Sequence, residues 1–361
     1  MKKIVLVCLA ALAANVLFAA ENPPAEAARK ISLNPKEERA IRDSLPVCPD
    51  SKVTFDTMVH KLPPNLSGTV VRVQSPRPSC QGQYLSVVSS GGGFYLGVPW
   101  FLDGETTGTI EEKLKHFTWT NMQQNFDPVV VRTRTPEGLY KVTMVQTTED
   151  GKLPLEGEID PAGTVFFFGH FRPLSEDVRT ARLKVFQPFV EGSPTTGAAK
   201  PVVTVIEFSD FECPSCQHAA GYMKPILDKY GDKVRYVRYD LPLVGTHPWA
   251  FAAAVEGRAI YNQKPEAFWE YKKQVYDNQD KLNAFLIDDF SRNFAKDHDL
   301  DMTRYDADVA SPAIREKMID GVGTAFSNDI RATPTYLVNG TLVDPGTDGK
   351  ALETYVAEQL R

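Results

Sequence analysis

Two cysteines with two residues between them, Cys213-Pro214-Ser215-Cys216, follow closely on the apolar, β-branched run Val202 to Phe208. On a helix such a pair lies one turn apart and can close and reopen a disulfide, so the chemistry it suggests is thiol-disulfide exchange. The flanking residues indicate how the pair is held. Val202, Val203, Val205, Ile206 and Phe208 predict a buried central strand, and Ser209 to Glu212 a short polar turn after it. A helix is then expected to begin at Cys213, with Pro214 at its first position, where a missing N–H costs nothing. The Cys213 sulfur would sit over unpaired N–H groups at the positive end of the helix dipole, which favours a thiolate. A free thiol titrates near about 8.5, and such sites bring it to roughly 3.5–7.5. Cys213 is therefore the expected nucleophile, and Cys216, a turn further in, the residue that resolves a mixed disulfide.

Other uses of a cysteine pair fit less well. A structural zinc site wants four ligands, commonly two close pairs, whereas Cys48 and Cys80 are far apart in another part of the chain, so no metal is expected. Haem attachment needs a histidine directly after the second cysteine, but Gln217 stands there and His218 comes one position late. His218 is expected on the helix surface, and His247, ahead of Pro248 and Trp249, in a capping or packing role. The exchange chemistry itself calls for no cofactor.

The chain of 361 residues carries 40 basic and 46 acidic side chains, a net charge of −6, which makes nucleic acid an unsuitable partner. Lys2 and Lys3, the apolar run Ile4 to Phe18, and Ala19-Ala20 have the pattern of a secretory signal peptide over residues 1–20, with an uncleaved membrane anchor as the alternative. Cleavage after Ala19 or Ala20 stays open. Loss of that segment removes Cys8 and leaves Cys48, Cys80, Cys213 and Cys216. In an oxidising compartment the economical pairing makes Cys48 and Cys80 a structural bridge and Cys213 and Cys216 the exchangeable one; buried free thiols at 48 and 80 are the alternative. An exported, periplasmic protein is the expectation.

The elements that must position this pair are legible in outline. Residues 21–44 open as an Ala-, Pro- and charge-rich stretch without expected fixed structure and close with a short helix, capped by Asn34 with Pro35 in its first turn. Residues 45–185 predict an α+β domain of mainly antiparallel strands, for example at Thr69–Val73, Tyr84–Val88, Pro128–Thr133, Leu139–Gln146 and Thr164–Phe171, with one helix at Thr109–Phe117. A linker is expected over 186–200, rich in Gly, Ser, Pro and Ala. Beyond it an α/β domain, 201–361, predicts a strand, the Cys213 helix to about 230 with a kink at Pro225, a strand at 233–239, a helical insertion over about 247–330, a hairpin turning at Asn339-Gly340, and a last helix.

That order, with Glu207 to His218 (EFSDFECPSCQH), Asp240 to Ala250 (DLPLVGTHPWA), Phe268-Trp269 and Ala332 to Gly340 (ATPTYLVNG), resembles the DsbA-like branch of the thioredoxin superfamily over the whole of 201–361. The resemblance implies a thioredoxin fold and adds roles. Thr333-Pro334 would be the cis-proline loop, which with Pro214 and Ser215 meets an extended substrate chain. Glu207 would be the buried acid behind the disulfide, its carboxyl raised by desolvation and able to relay a proton to or from Cys216. Ser215 stands where the strongly oxidising members carry His, so a less oxidising potential is expected, between about −120 and −270 mV. Residues 109–171 resemble, by pattern alone, the cystatin-like dimerisation module of DsbC and DsbG isomerases. Three functions follow as expectations: an exported oxidoreductase acting on protein thiols and disulfides and reset by a redox partner; a homodimeric disulfide isomerase or reductase; or an exported chaperone-like protein with a merely structural cysteine pair.

Overall fold

The computed structural model describes residues 31–48, 50–58, 60–102 and 107–361; the expected signal peptide lies outside them. Among the described residues no helix is long and apolar enough to cross a membrane. The chain divides into two compact units. One runs to Thr147 and takes in Lys152–Arg182 and Gly323–Arg331; the other comprises Thr148–Gly151, Leu183–Val322 and Ala332–Arg361.

In the first unit, helix α1 (Pro35–Ser44) starts where Asn34 accepts the N–H of Glu37 on its side chain, and its Ala40 and Ile41 pack on Val71, Val73, Phe94 and Leu96. These belong to an antiparallel sheet of β1 (Lys52–Thr57), β2 (Leu66–Gln74), β3 (Gly82–Ser89), β4 (Gly93–Gly97) and β10 (Arg172–Pro173). A second sheet has the order β5 (Trp100–Phe101), β9 (Val165–Phe168), β8 (Gly151–Ile159), β7 (Tyr140–Thr148), β6 (Asp127–Arg134). Helix α2 (Ile110–Met122) precedes β6, and Thr109 and Glu112 close its N-terminus as a reciprocal capping box. The mainly antiparallel α+β expectation thus describes this unit. Strands β1, β4, β5, β8 and β10 and helix α3 (Val178–Val190) lie outside the strands and helix named from the sequence.

The second unit is a thioredoxin-type α/β sheet with order β11 (Thr195–Gly197), β13 (Val234–Asp240), β12 (Val203–Ser209), β14 (Thr335–Val338), β15 (Thr341–Val343). Central β12 runs parallel to β13 and antiparallel to β14, with Glu207 opposite Arg238 on one side and Tyr336 on the other. Its core joins Val203, Val205, Tyr236, Tyr336 and Val338 of the sheet to Met223, Ile226, Leu352 and Val356 of two helices, α5 (Met223–Tyr230) and α11 (Lys350–Gln359). The sheet therefore buries one face under helices as an amphipathic layer must. Asn339 and Gly340 both take positive φ, 46° and 84°, the geometry of a tight hairpin turn.

Three expectations need correction. Residues 186–200 are no plain linker: they contain the end of α3 and the edge strand β11, and a Cβ at Gly197 would collide with the Val234 carbonyl oxygen, which is why a residue that looks like linker glycine serves close strand approach. The active-site helix does not kink at Pro225. It ends as α4 (Pro214–Ala219) and restarts as α5, placing Pro225 in a first turn where the missing N–H goes unused. Residues 323–331, expected inside the helical insertion, group with the first unit. The insertion consists of α6 (Ala250–Gln263), α7 (Pro265–Asp277), α8 (Ile287–Asp297), α9 (Met302–Val309) and α10 (Pro312–Ser327).

Candidate active site

Strand β12 delivers the chain to the site. After Ser209 it turns through Asp210 to Glu212, and Cys213 caps α4 with Pro214 in the first turn. The Cys213 carbonyl accepts the N–H groups of Cys216 at 3.0 Å and Gln217 at 3.1 Å. Gln279, in a single 3-10 turn before α8, donates its side-chain amide to the carbonyls of Phe211 at 2.8 Å and Cys213 at 3.2 Å. Both cysteines are free thiols, Cys213 7% exposed and Cys216 0%. Pro214 and Ser215 between them face solvent. Thr333-Pro334 is a cis peptide, and the Cys213 thiol donates to the Thr333 carbonyl at 3.4 Å.

The two sulfurs are electrically unlike. The hydrogen bond from Cys216 is the largest influence on Cys213 and, with the Thr333 side chain and the Cys216 backbone N–H, outweighs burial and brings its thiol down to about 6. Burial pushes the Cys216 thiol well up, and Cys213 and Glu207 add to it. One sulfur is thus a thiolate at neutral pH while its neighbour keeps its proton.

Beneath them lies a charged layer that sequence reasoning largely missed. Glu207 is 1% exposed and accepts the Tyr236 hydroxyl, with the Lys272 ammonium 3.6 Å from the same oxygen. Lys272 also donates to the Tyr236 hydroxyl at 2.8 Å. The expected upward shift of Glu207 is overturned: burial pushes its carboxyl up, but the charges of Lys272 and Arg238 and the hydrogen bonds of Tyr236 and Ser209 outweigh it and hold it below the usual range. Glu207 is therefore an anion. Arg238, fully buried, donates to Asp240 at 2.9 Å, Ser209 at 2.9 Å and the Tyr276 hydroxyl at 3.0 Å, and lies 3.9 Å over the Phe211 ring. Ion pairs this deep hold best when every remaining donor and acceptor is met; here Glu207 Oε1 and Arg238 Nη2 are buried without a hydrogen-bond partner among the described residues.

Asp210 is the hub of the turn. Its two oxygens accept the N–H groups of Glu212 at 2.7 Å, Cys213 at 3.2 Å and Leu243 at 2.7 Å, together with Nδ1 of His247 at 2.7 Å. His247, expected to cap or pack, joins the active site through this bond. His218 is on the helix surface as expected, with Nε2 3.1 Å from the Thr347 carbonyl oxygen. Cys48 and Cys80 are bonded to each other in the first unit.

A family model described as thioredoxin matches residues 190–358. The probable disulfide bond formation protein D of Bacillus cereus is 31% identical over 152 residues, 40% of this chain and 69% of that protein. The chain belongs to the DsbA-like branch of the thioredoxin superfamily. The enzyme class of that branch is thiol-disulfide oxidoreductase. A sodium/proton antiporter NhaA 1 of Mycolicibacterium vanbaalenii is 33% identical over 138 residues, 38% of this chain, and the chain spans only 22% of that protein's length. Oxidised BdbD from Bacillus subtilis, a solved structure, is similar at 21% identity, with a TM-score of 0.41, covering 47% of this chain and 94% of that one. The likeness to DsbC and DsbG over 109–171 has no counterpart among these matches.

Proposed function

We propose that this protein is an exported, periplasmic thiol-disulfide oxidoreductase that exchanges disulfides with protein substrates through a mixed disulfide on Cys213. The observation that carries the reading is the inequality of the two thiols. In the oxidising direction a substrate thiolate attacks Cys213 Sγ of the closed Cys213–Cys216 bond; that bond breaks, and Cys216 leaves and takes up a proton. A second substrate thiolate attacks the substrate sulfur of the mixed disulfide and expels Cys213, a good leaving group because its thiolate is stable. The substrate dithiol is oxidised to a disulfide while the enzyme disulfide is reduced to the Cys213/Cys216 dithiol, and an external redox partner resets the pair. In the reducing or isomerising direction the Cys213 thiolate attacks first and Cys216 resolves.

Glu207 acts in this scheme as a fixed anion that keeps Cys216 protonated. Thr333, Pro334, Pro214 and Ser215 form the surface that meets the substrate. The N-terminal Lys2-Lys3 and apolar run, with the Cys48–Cys80 bridge, support export, since such bridges persist in oxidising compartments. A binding protein with a structural pair would have no use for thiols driven apart in acidity, which argues against the chaperone-like reading. The dimeric isomerase reading keeps one supporting observation. Helix α2 followed by the antiparallel strands β6 to β9 ends in an edge strand, β6, whose Val129 and Val131 are exposed.

Cys216→Ser tests the main reading. It is expected to trap a mixed disulfide on Cys213 with a disulfide-bonded peptide, located by mass spectrometry; absence of that adduct while the wild type exchanges would defeat it. Equilibration against glutathione buffers then gives the direction of electron flow, and sedimentation as a monomer removes the dimeric isomerase.

A further inference from the structure

A buried carboxylate beside a nucleophilic thiolate is an electrostatic liability, and Asp210 is one. It is 1% exposed, and one of its oxygens holds the Cys213 backbone N–H. Three backbone N–H groups and the His247 ring nitrogen Nδ1 converge on its two oxygens. Its charge works against the Cys213 thiolate. Some cation must offset it, and the motif supplies none, since Pro214 and Ser215 are neutral. His218 lies on the Thr347 carbonyl. Lys272 is engaged with Glu207 and Tyr236, and Arg238 with Asp240, Ser209 and Tyr276. His247 remains, and it is bonded to the Asp210 oxygen opposite the one that holds Cys213.

We propose that the His247 imidazolium, seated on Asp210, is the positioning charge of this active site: it neutralises Asp210, so that one carboxylate can fix the Cys213 backbone without repelling the Cys213 thiolate. The inference rests on the reading of Cys213 as the attacking thiolate. The titratable groups that face the imidazole are Asp210 and Glu212 of the turn and Cys213 at the start of α4. Burial pulls His247 down, but the hydrogen bond and charge of Asp210, with the charges of Cys213 and Glu212, outweigh it and raise the imidazole above its ordinary value. Glu212 is tied by the Trp249 N–H at 2.8 Å, two residues beyond His247, so the turn and the start of the insertion are stitched together at both acids. In a chain with Ser215 inside the motif, the positive charge is thus brought from the insertion instead.

The test uses the full reduced chain and the rate at which iodoacetamide modifies Cys213 as a function of pH, with the site located by mass spectrometry. His247→Gln keeps a side-chain N–H for Asp210 but no charge. It is expected to raise the Cys213 midpoint by about one pH unit, a tenfold loss of thiolate below both midpoints. Adding Asp210→Asn to His247→Gln is expected to bring the midpoint back towards wild type, a rescue that mere loss of structure would not give. An unchanged midpoint in folded His247→Gln overturns the proposal. The wild type gives an independent reading, because coupling is reciprocal. The His247 imidazole, followed by NMR, is expected to titrate about one unit lower after carbamidomethylation of Cys213 removes the thiolate. Equal His247 midpoints before and after also overturn it. A wild-type Cys213 midpoint near about 8.5 would instead sink the underlying nucleophile reading.

Discussion

Cys48–Cys80 and Cys213–Cys216 are made of the same atoms and put to opposite uses. The first pair closes a separation of 32 residues with Cα atoms 6.1 Å apart, and Cys80 sits buried in a 3-10 turn, Pro78–Cys80. The second spans a single helical turn and is open. Loop-closure entropy makes the long bridge worth on the order of 4 kcal/mol and a four-residue loop about half that. The short pair is therefore the poorer staple. What distinguishes it is its surroundings: hydrogen bonds that favour one thiolate, and burial with an anion at Glu207 that disfavours the other. A disulfide is structural where the chain gains most from closure, and reactive where its two sulfurs are made unequal.

The sharpest way to break this contrast is Cys213→Ser, expected to reduce exchange with a dithiol or disulfide peptide to the uncatalysed background; retained turnover would dissolve the distinction. Cys48→Ser with Cys80→Ser should leave Cys213 alkylation unchanged while removing about 4 kcal/mol from the unfolding free energy, measured by urea denaturation. Lys272→Met strands Glu207 as an unpaired buried anion and is expected to cost about 3 kcal/mol, largely recovered when Glu207→Gln is added.

The pH dependence carries a definite sign. Cys213 is depressed in the folded chain, so the stability it gives the reduced form is complete above the unfolded thiol value of about 8.5 and is lost as pH falls through about 6. Cys216 is raised, so its contribution is complete below about 8.5 and lost at higher pH. The urea midpoint of the reduced form relative to the oxidised one should therefore rise from pH 6 to about 8.5 and fall beyond it. The smallest effect concerns Ser215→His, which adds a charge next to Cys216 and is expected to make the pair more oxidising by about 30 mV, tenfold in a glutathione equilibrium.

The redox motif, its strand, the first turn with Pro214, the Asn339-Gly340 hairpin and the helical insertion were legible because each is written in contiguous residues. The pairing of Cys48 with Cys80 follows from counting cysteines once residues 1–20 are read as a signal peptide. The charge of Glu207 did not, because its sign is set by Lys272 from α7 and by Arg238 and Tyr236 from β13, brought to it only by folding. His247 went unrecognised for the same reason: its partner Asp210 lies in a different turn, and nothing local marks a histidine before proline as part of a site. Asp210 itself had a signal, a short acid placed three residues before a helix-capping cysteine, where its oxygen can hold the turn's N–H groups. The break between α4 and α5 is not legible at Pro225, because a proline inside a helical pattern marks a kink and the first turn of a new helix equally well.

Ultraviolet titration of thiolate absorbance in the reduced protein tests the inequality of the two sulfurs most directly. The expected result is one thiolate appearing with a midpoint at about 6, lost in Cys213→Ser, and a second appearing only well above the ordinary thiol range. Two thiolates rising together near about 8.5 would contradict it.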